Sequence, residues 1–167
     1  EFMNNLRQAE NYGDDPLAPA HWSPDYVFAT VMCSSPLAWM EVQQLPEAYV
    51  QQVAPLVAVW KAHRAAMFHG NLIPVGAEPD GHAWTGFISA AADGAAGYAL
   101  IFRELNDRGR WACPLPLLGA GNYEVTRLAG QGTAQVTGGQ LQVEMPAARN
   151  FVFLQLQRKS SDGAALP

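Results

Sequence analysis

The chemistry-bearing residues near the start of the chain are carboxylates and aromatics. Asp14, Asp15, Asp25 and Glu41 fall in its first quarter. Glycoside cleavage usually needs two carboxyl groups, about 5 to 9.5 Å apart across the scissile bond. Asp14 and Asp15 are neighbours, but adjacent side chains usually point apart, and a turn or capping role is several times commoner for such a pair. Sugar rings can stack on aromatic faces, and the chain offers Tyr12, Trp22, Trp39, Trp60, Trp84 and Trp111. Trp60 falls at helical spacing, and Trp84 and Trp111 lie inside strand-like runs, where such residues are more often core. Tyr12, Trp22 and Trp39 stand in loop-like sequence. The expected sugar-contacting set is therefore Tyr12, Asp14, Asp15, Trp22 and Trp39, with no catalytic residue among them.

Other chemistries lack their signatures. His21, His63, His69 and His82 have no HExxH or paired Cys/His context, so no metal site is expected. There is no GxSxG elbow and no P-loop. Gly119-Ala120-Gly121 lacks the third glycine and the following helix of a dinucleotide site, so no cofactor is expected. Cys33 and Cys113 have no CxxC spacing. Two reduced, mostly buried thiols are the commoner reading, with a disulfide left open.

The elements that would position these residues differ between two parts of the chain. Residues 4 to 24 are polar and rich in Gly, Asp and Pro, and read as loop. Tyr26 to Cys33 is a nearly continuous apolar run, which predicts a strand covered on both faces, as in a parallel sheet. Leu45 to Phe68 predicts a helix. Pro46 and Glu47 suit its start, Gly70 its stop, and Tyr49, Val53, Leu56, Trp60, His63 and Met67 form one face. Pro55 should kink or split it. From about Leu72 onward, eight short β-like runs separated by Gly, Asp and Asn turns predict a compact antiparallel sandwich, and Gly138-Gly139 its tightest hairpin. The expected organisation is thus 1–70 (loop, strand and helix), 71–160 (sandwich) and 161–167 (tail). The fold class is mainly β, an antiparallel β-sandwich preceded by one strand and one long helix. Because a lone β/α unit cannot cover its strand, the first part reads as the end of a truncated barrel.

With 167 residues, 49% hydrophobic and 15% charged, the chain can bury a real core. A net charge of -5 argues against nucleic acid. No run approaches the ~20 apolar residues of a membrane span, the N-terminus is polar with no signal peptide, and nothing indicates a compartment. Glu1-Phe2 before Met3 reads as a cloning remnant, so the chain is expected to be part of a longer protein.

Asn11-Tyr12-Gly13-Asp14-Asp15-Pro16-Leu17-Ala18-Pro19 resembles a segment late in bacterial α-galactosidase (melibiase-like) sequences. Tyr26-Val27-Phe28-Ala29-Thr30-Val31-Met32, Pro36-Leu37-Ala38-Trp39-Met40-Glu41, Trp60-Lys61-Ala62-His63-Arg64, Ile73-Pro74-Val75-Gly76 and Trp84-Thr85-Gly86-Phe87 continue the likeness, which spans roughly residues 11 to 104. Such glycoside hydrolases have a (β/α)₈ barrel followed by a C-terminal β-sandwich. The resemblance implies that Tyr26–Cys33 is the last barrel strand and Pro46–Phe68 the last barrel helix. It implies that the catalytic aspartates lie on earlier strands outside this chain, and that Asp14 and Asp15 line the sugar pocket. The expectation is a non-catalytic C-terminal fragment of an α-galactosidase-like enzyme. The alternative is an independent carbohydrate-binding or structural β-sandwich. Carbohydrate is the expected small partner, and a homo-oligomer through the N-terminal strand and helix the expected assembly.

Overall fold

The computed structural model describes residues 4–7, 9–37, 43–119 and 121–159. Eight strands follow the helices: β1 (Asn71–Gly76), β2 (Trp84–Ala90), β3 (Ala96–Arg103), β4 (Arg110–Pro114), β5 (Tyr123–Gly130), β6 (Thr133–Thr137), β7 (Gln140–Glu144) and β8 (Asn150–Arg158). They make two antiparallel sheets, ordered β1-β2-β3-β8-β5 and β4-β7-β6. The turn spacing predicts eight strands, and eight are present among the described residues. Gly138 and Gly139 both take positive φ, 59° and 75°, as a two-residue hairpin between right-twisted strands requires.

The five-stranded sheet is covered on both faces. Ile88, Ala99, Ile101, Val152, Leu154 and Leu156 on one face pack against Cys113, Leu141 and Val143 of the smaller sheet and against Met145 just after it. Tyr98, Leu100, Phe102, Phe151 and Phe153 on the other face pack against two helices, α1 (Pro24–Ala29) and α2 (Glu47–His69). Alternate residues of β3 and β8 therefore point into two different cores, and both strands are buried almost throughout. The register sets Leu100 opposite Phe153 and Phe102 opposite Phe151, which aligns one aromatic row beneath the helices.

One expectation is overturned. The run Tyr26–Cys33 is not a strand: α1 occupies Pro24–Ala29, and hydrogen-bonded turns continue it to Ser34. An apolar run without alternation does not separate a buried strand from a buried helix. The start signals decide it: Pro24 sits in the first turn and Asp25 at the positive helix end. Among the described residues no strand pairs with this segment, and helical bonds such as Thr30 N–H to Tyr26 O (3.1 Å) satisfy its backbone internally. Tyr26, Phe28, Ala29 and Met32 are buried because α1 and the turns after it pack against α2 and the sheet. Tyr26 meets Phe102 edge-on at 5.3 Å, Phe28 meets Trp60 at 6.2 Å, and the Trp60 indole donates to the Met32 carbonyl at 2.9 Å.

Helix α2 buries the expected face, Tyr49, Val53, Leu56, Trp60 and Met67, while His63 stacks its ring edge on Tyr98 at 5.6 Å. Pro55 does not split it. Pro55 and Gln51 are both exposed, so water can satisfy the Gln51 carbonyl left without an N–H partner. Gly70 ends the helix in extended conformation, and a Cβ there would lie 2.3 Å from Ser89 Oγ. That close approach lets Ser89 donate to the Met67 carbonyl at 2.6 Å and tie the helix end to β2.

Candidate functional site

Of the five residues expected to contact sugar, four are described; Trp39, like Glu41, lies outside the described residues. The structure does not gather the four around one cavity. Tyr12 is exposed at the end of a short 3-10 turn, and its carbonyl accepts from Asp15 N–H at 3.2 Å. Asp15 Oδ1 accepts from Leu17 N–H at 2.8 Å, the bond of an Asx turn. Asp14 is exposed beside it. Trp22 leans on the core, with its ring 4.7 Å from that of Tyr26. Asn5 ties the loop together by donating to the carbonyls of Pro19 (2.7 Å) and Trp22 (2.9 Å) and accepting from the Tyr49 hydroxyl (2.8 Å). Asp25 also holds structure: its carboxylate accepts from Tyr26 N–H and from the Gln52 amide.

The N-terminal loop instead leans on one end of the sandwich. Leu17 packs against Gly81, so closely that a Cβ on Gly81 would clash with its methyls, and Arg149 donates to the Pro16 carbonyl at 2.8 Å. At that end two loops converge, β1–β2 and β3–β4. Glu104, buried, accepts from both Gly81 N–H and Ala83 N–H at 2.8 Å. Arg103, also buried, donates to the carbonyls of Asn106 (2.7 Å), Met145 (2.5 Å) and Pro146 (2.8 Å). These two side chains fix the loops from beneath.

Between the loops lies a cleft of about 590 Å³, whose walls include Asp80, His82, Trp84, Asn106, Arg108 and Trp111. The Trp84 and Trp111 rings are nearly parallel (11°) with centroids 5.8 Å apart, an offset stack. Asn106 closes one wall by donating to the His82 carbonyl at 2.7 Å and accepting from Arg108 N–H at 3.0 Å. A second polar face adjoins it across β4, β7 and β6, where Arg110 pairs with Glu144 at 3.2 Å and Gln135 with Gln142 at 2.9 Å. Asp80 is the single carboxylate of the cleft and Glu144 that of the adjoining face. Neither supplies the pair that glycoside cleavage requires.

The reading of Trp84 as a core residue holds, since it is buried in the core between the two sheets, whereas Trp111 packs against that core only in part and also borders the cleft. Each lies within five residues of a turn, Pro79-Asp80-Gly81 or Asn106-Asp107-Arg108-Gly109. A tryptophan so near a strand end can border the loops as well as fill the interior, and that was the available signal.

The two thiols, Cys113 buried and Cys33 partly so, are held in the protonated form. Burial pushes both Cys33 and Cys113 up to about 12, so neither is a thiolate near neutrality, and both are free. Among the described residues, no helix is long and apolar enough to cross a membrane. Comparisons with protein families, with curated proteins and with solved structures return no match.

Proposed function

We propose that this chain is the non-catalytic C-terminal part of an α-galactosidase-like glycoside hydrolase, in which the helical layer seats the catalytic barrel and the sandwich props it. The reading rests on the sequence resemblance over roughly residues 11 to 104. The observation that carries it is where apolar surface is left uncovered. Among the described residues, the large hydrophobic side chains that stay exposed are Leu6, Tyr12, Leu37, Val50 and Phe68 in the first 70 residues and Leu117 in the sandwich. Along α2, at its border with α1, runs a groove of about 560 Å³, lined by Phe28, Leu45, Val50, Val53, Val57 and Trp60. A contiguous apolar groove of this kind marks a surface that another body covers. In the proposed enzyme the covering body is the barrel.

The test is coexpression with the protein segment encoded immediately upstream. That segment should copurify with this chain, and Val50→Glu, which puts a charge into the groove without touching either core, should abolish copurification. An upstream region that encodes no barrel, or a barrel that ignores both forms of the chain, would overturn the proposal.

A further inference from the structure

We propose that the cleft between the β1–β2 and β3–β4 loops is a non-catalytic binding site for a pyranose sugar. Trp111 is the stacking platform and Arg108 the main hydrogen-bonding arm. This site stands independently of the barrel, because all its residues lie in the sandwich.

The two indoles have different duties. Trp84 is buried, and its Nε1–H is committed to the Arg108 carbonyl at 2.9 Å. It forms the fixed back wall and pins the Arg108 backbone at the cleft rim. Trp111 is only half-buried, on the second strand residue of β4. Among the described residues its Nε1–H and the Arg108 guanidinium make no hydrogen bond, and neither is a buried unpaired group, so both face water. An open indole with a free donor beside it suits the apolar C–H face of a sugar and one of its hydroxyls.

The charges around the ring select for a neutral polyhydroxyl ligand. Asp80 accepts and Arg108 donates across the same cleft, so vicinal hydroxyls can be paired on both sides. Arg110, which also lines the cleft, is paired with Glu144 at 3.2 Å, so Asp80 and Arg108 leave the cleft close to neutral, which suits an uncharged ligand. Preorganisation favours binding further. Asp80 Oδ1 holds His82 N–H at 2.8 Å, Asn106 bridges His82 and Arg108, and Glu104 locks Gly81 and Ala83. The loops are tied before any ligand arrives, which lowers the ordering cost on binding.

The test uses this chain alone and reads binding, so it is independent of hydrolysis. Nitrogen–proton correlation spectra resolve the indole N–H groups, which are titrated with raffinose, maltotriose and mannotriose to cover three terminal pyranoses. At least one should shift the Trp111 indole saturably and leave that of Trp60 in place. Arg108→Ala, on an exposed side chain, should weaken that binding at least tenfold with the melting temperature unchanged. Trp111→Phe should weaken it while Trp22→Phe does not. No saturable shift with any of the three sugars, or binding indifferent to Arg108→Ala, would overturn the assignment.

Discussion

Replacing Trp60 by Phe tests how the helical layer is held. The Trp60 indole sits 8% exposed between α1 and α2, donates to the carbonyl of Met32, and meets Phe28 edge-on. Met32 is itself fully buried, so no water replaces the lost donor easily. Leaving a buried carbonyl unsatisfied costs about 1–3 kcal/mol. The smaller ring also leaves unfilled space beside Phe28, which adds roughly 1 kcal/mol. The sum is about 2–4 kcal/mol, a large fraction of the ~5–15 kcal/mol that holds a domain folded. Urea denaturation followed by circular dichroism reads it as a lower midpoint with the slope retained. Val50→Ser, on an exposed position of the same helix, should stay within about 0.5 kcal/mol. A Trp60→Phe loss below about 0.5 kcal/mol would refute the claim that residues after α1 turn back onto α2 through the Met32 carbonyl.

The glycines should separate by environment. Gly139→Ala faces open space at φ 75° and should cost roughly 1 kcal/mol for backbone strain alone, whereas a Cβ on Gly130, at φ 77°, would lie 2.2 Å from the Phe151 carbonyl oxygen and should cost clearly more. Equal midpoints for the two variants in the same denaturant series would contradict this. Stability should fall with alkali: Cys33 and Cys113 are raised from 9.0 to about 12, so their contribution is intact below pH 9, where both states are protonated, and is lost as pH climbs toward 12, because the unfolded chain ionises first. Replacing both by Ala should flatten that decline, and an unchanged pH profile would count against it. In light scattering at micromolar concentration, the chain alone should self-associate through the uncovered α2 groove, and Val50→Glu should return it to monomer; a wild-type monomer at all concentrations would contradict this.

Local signals carried the β half of the fold. Turn residues at regular spacing marked eight strands, and Gly138-Gly139 marked its hairpin, because both act over a few residues. The α2 face was legible for the same reason, as steps of three and four from Tyr49 to Met67. Two-sided burial was harder. The continuous apolar runs of β3 and β8 reflect a sheet order, β1-β2-β3-β8-β5, that places distant segments side by side. The same pattern in Tyr26–Cys33 came from a helix packed against α2 and the sheet, and only Pro24 and Asp25 hinted at it. With the strand gone, the expected pairing of strand edges between chains loses its basis, and the apolar groove on α2 is what remains for association. The loop candidates fared differently from the strand tryptophans. Asp15 is committed to a turn and Trp22 to the core edge, while Trp111 reaches an open cleft because two loops far apart in sequence meet above it.

The central claim, a sandwich and helical layer that serve a catalytic barrel without catalysing, is tested most directly by aryl α-galactoside hydrolysis. The assay compares this chain alone with the same chain extended through the coding region upstream. The extended protein should hydrolyse the substrate, and the chain alone should not exceed a protein-free blank. Turnover by the chain alone that survives repurification, or an extended protein with no such activity, would contradict the account.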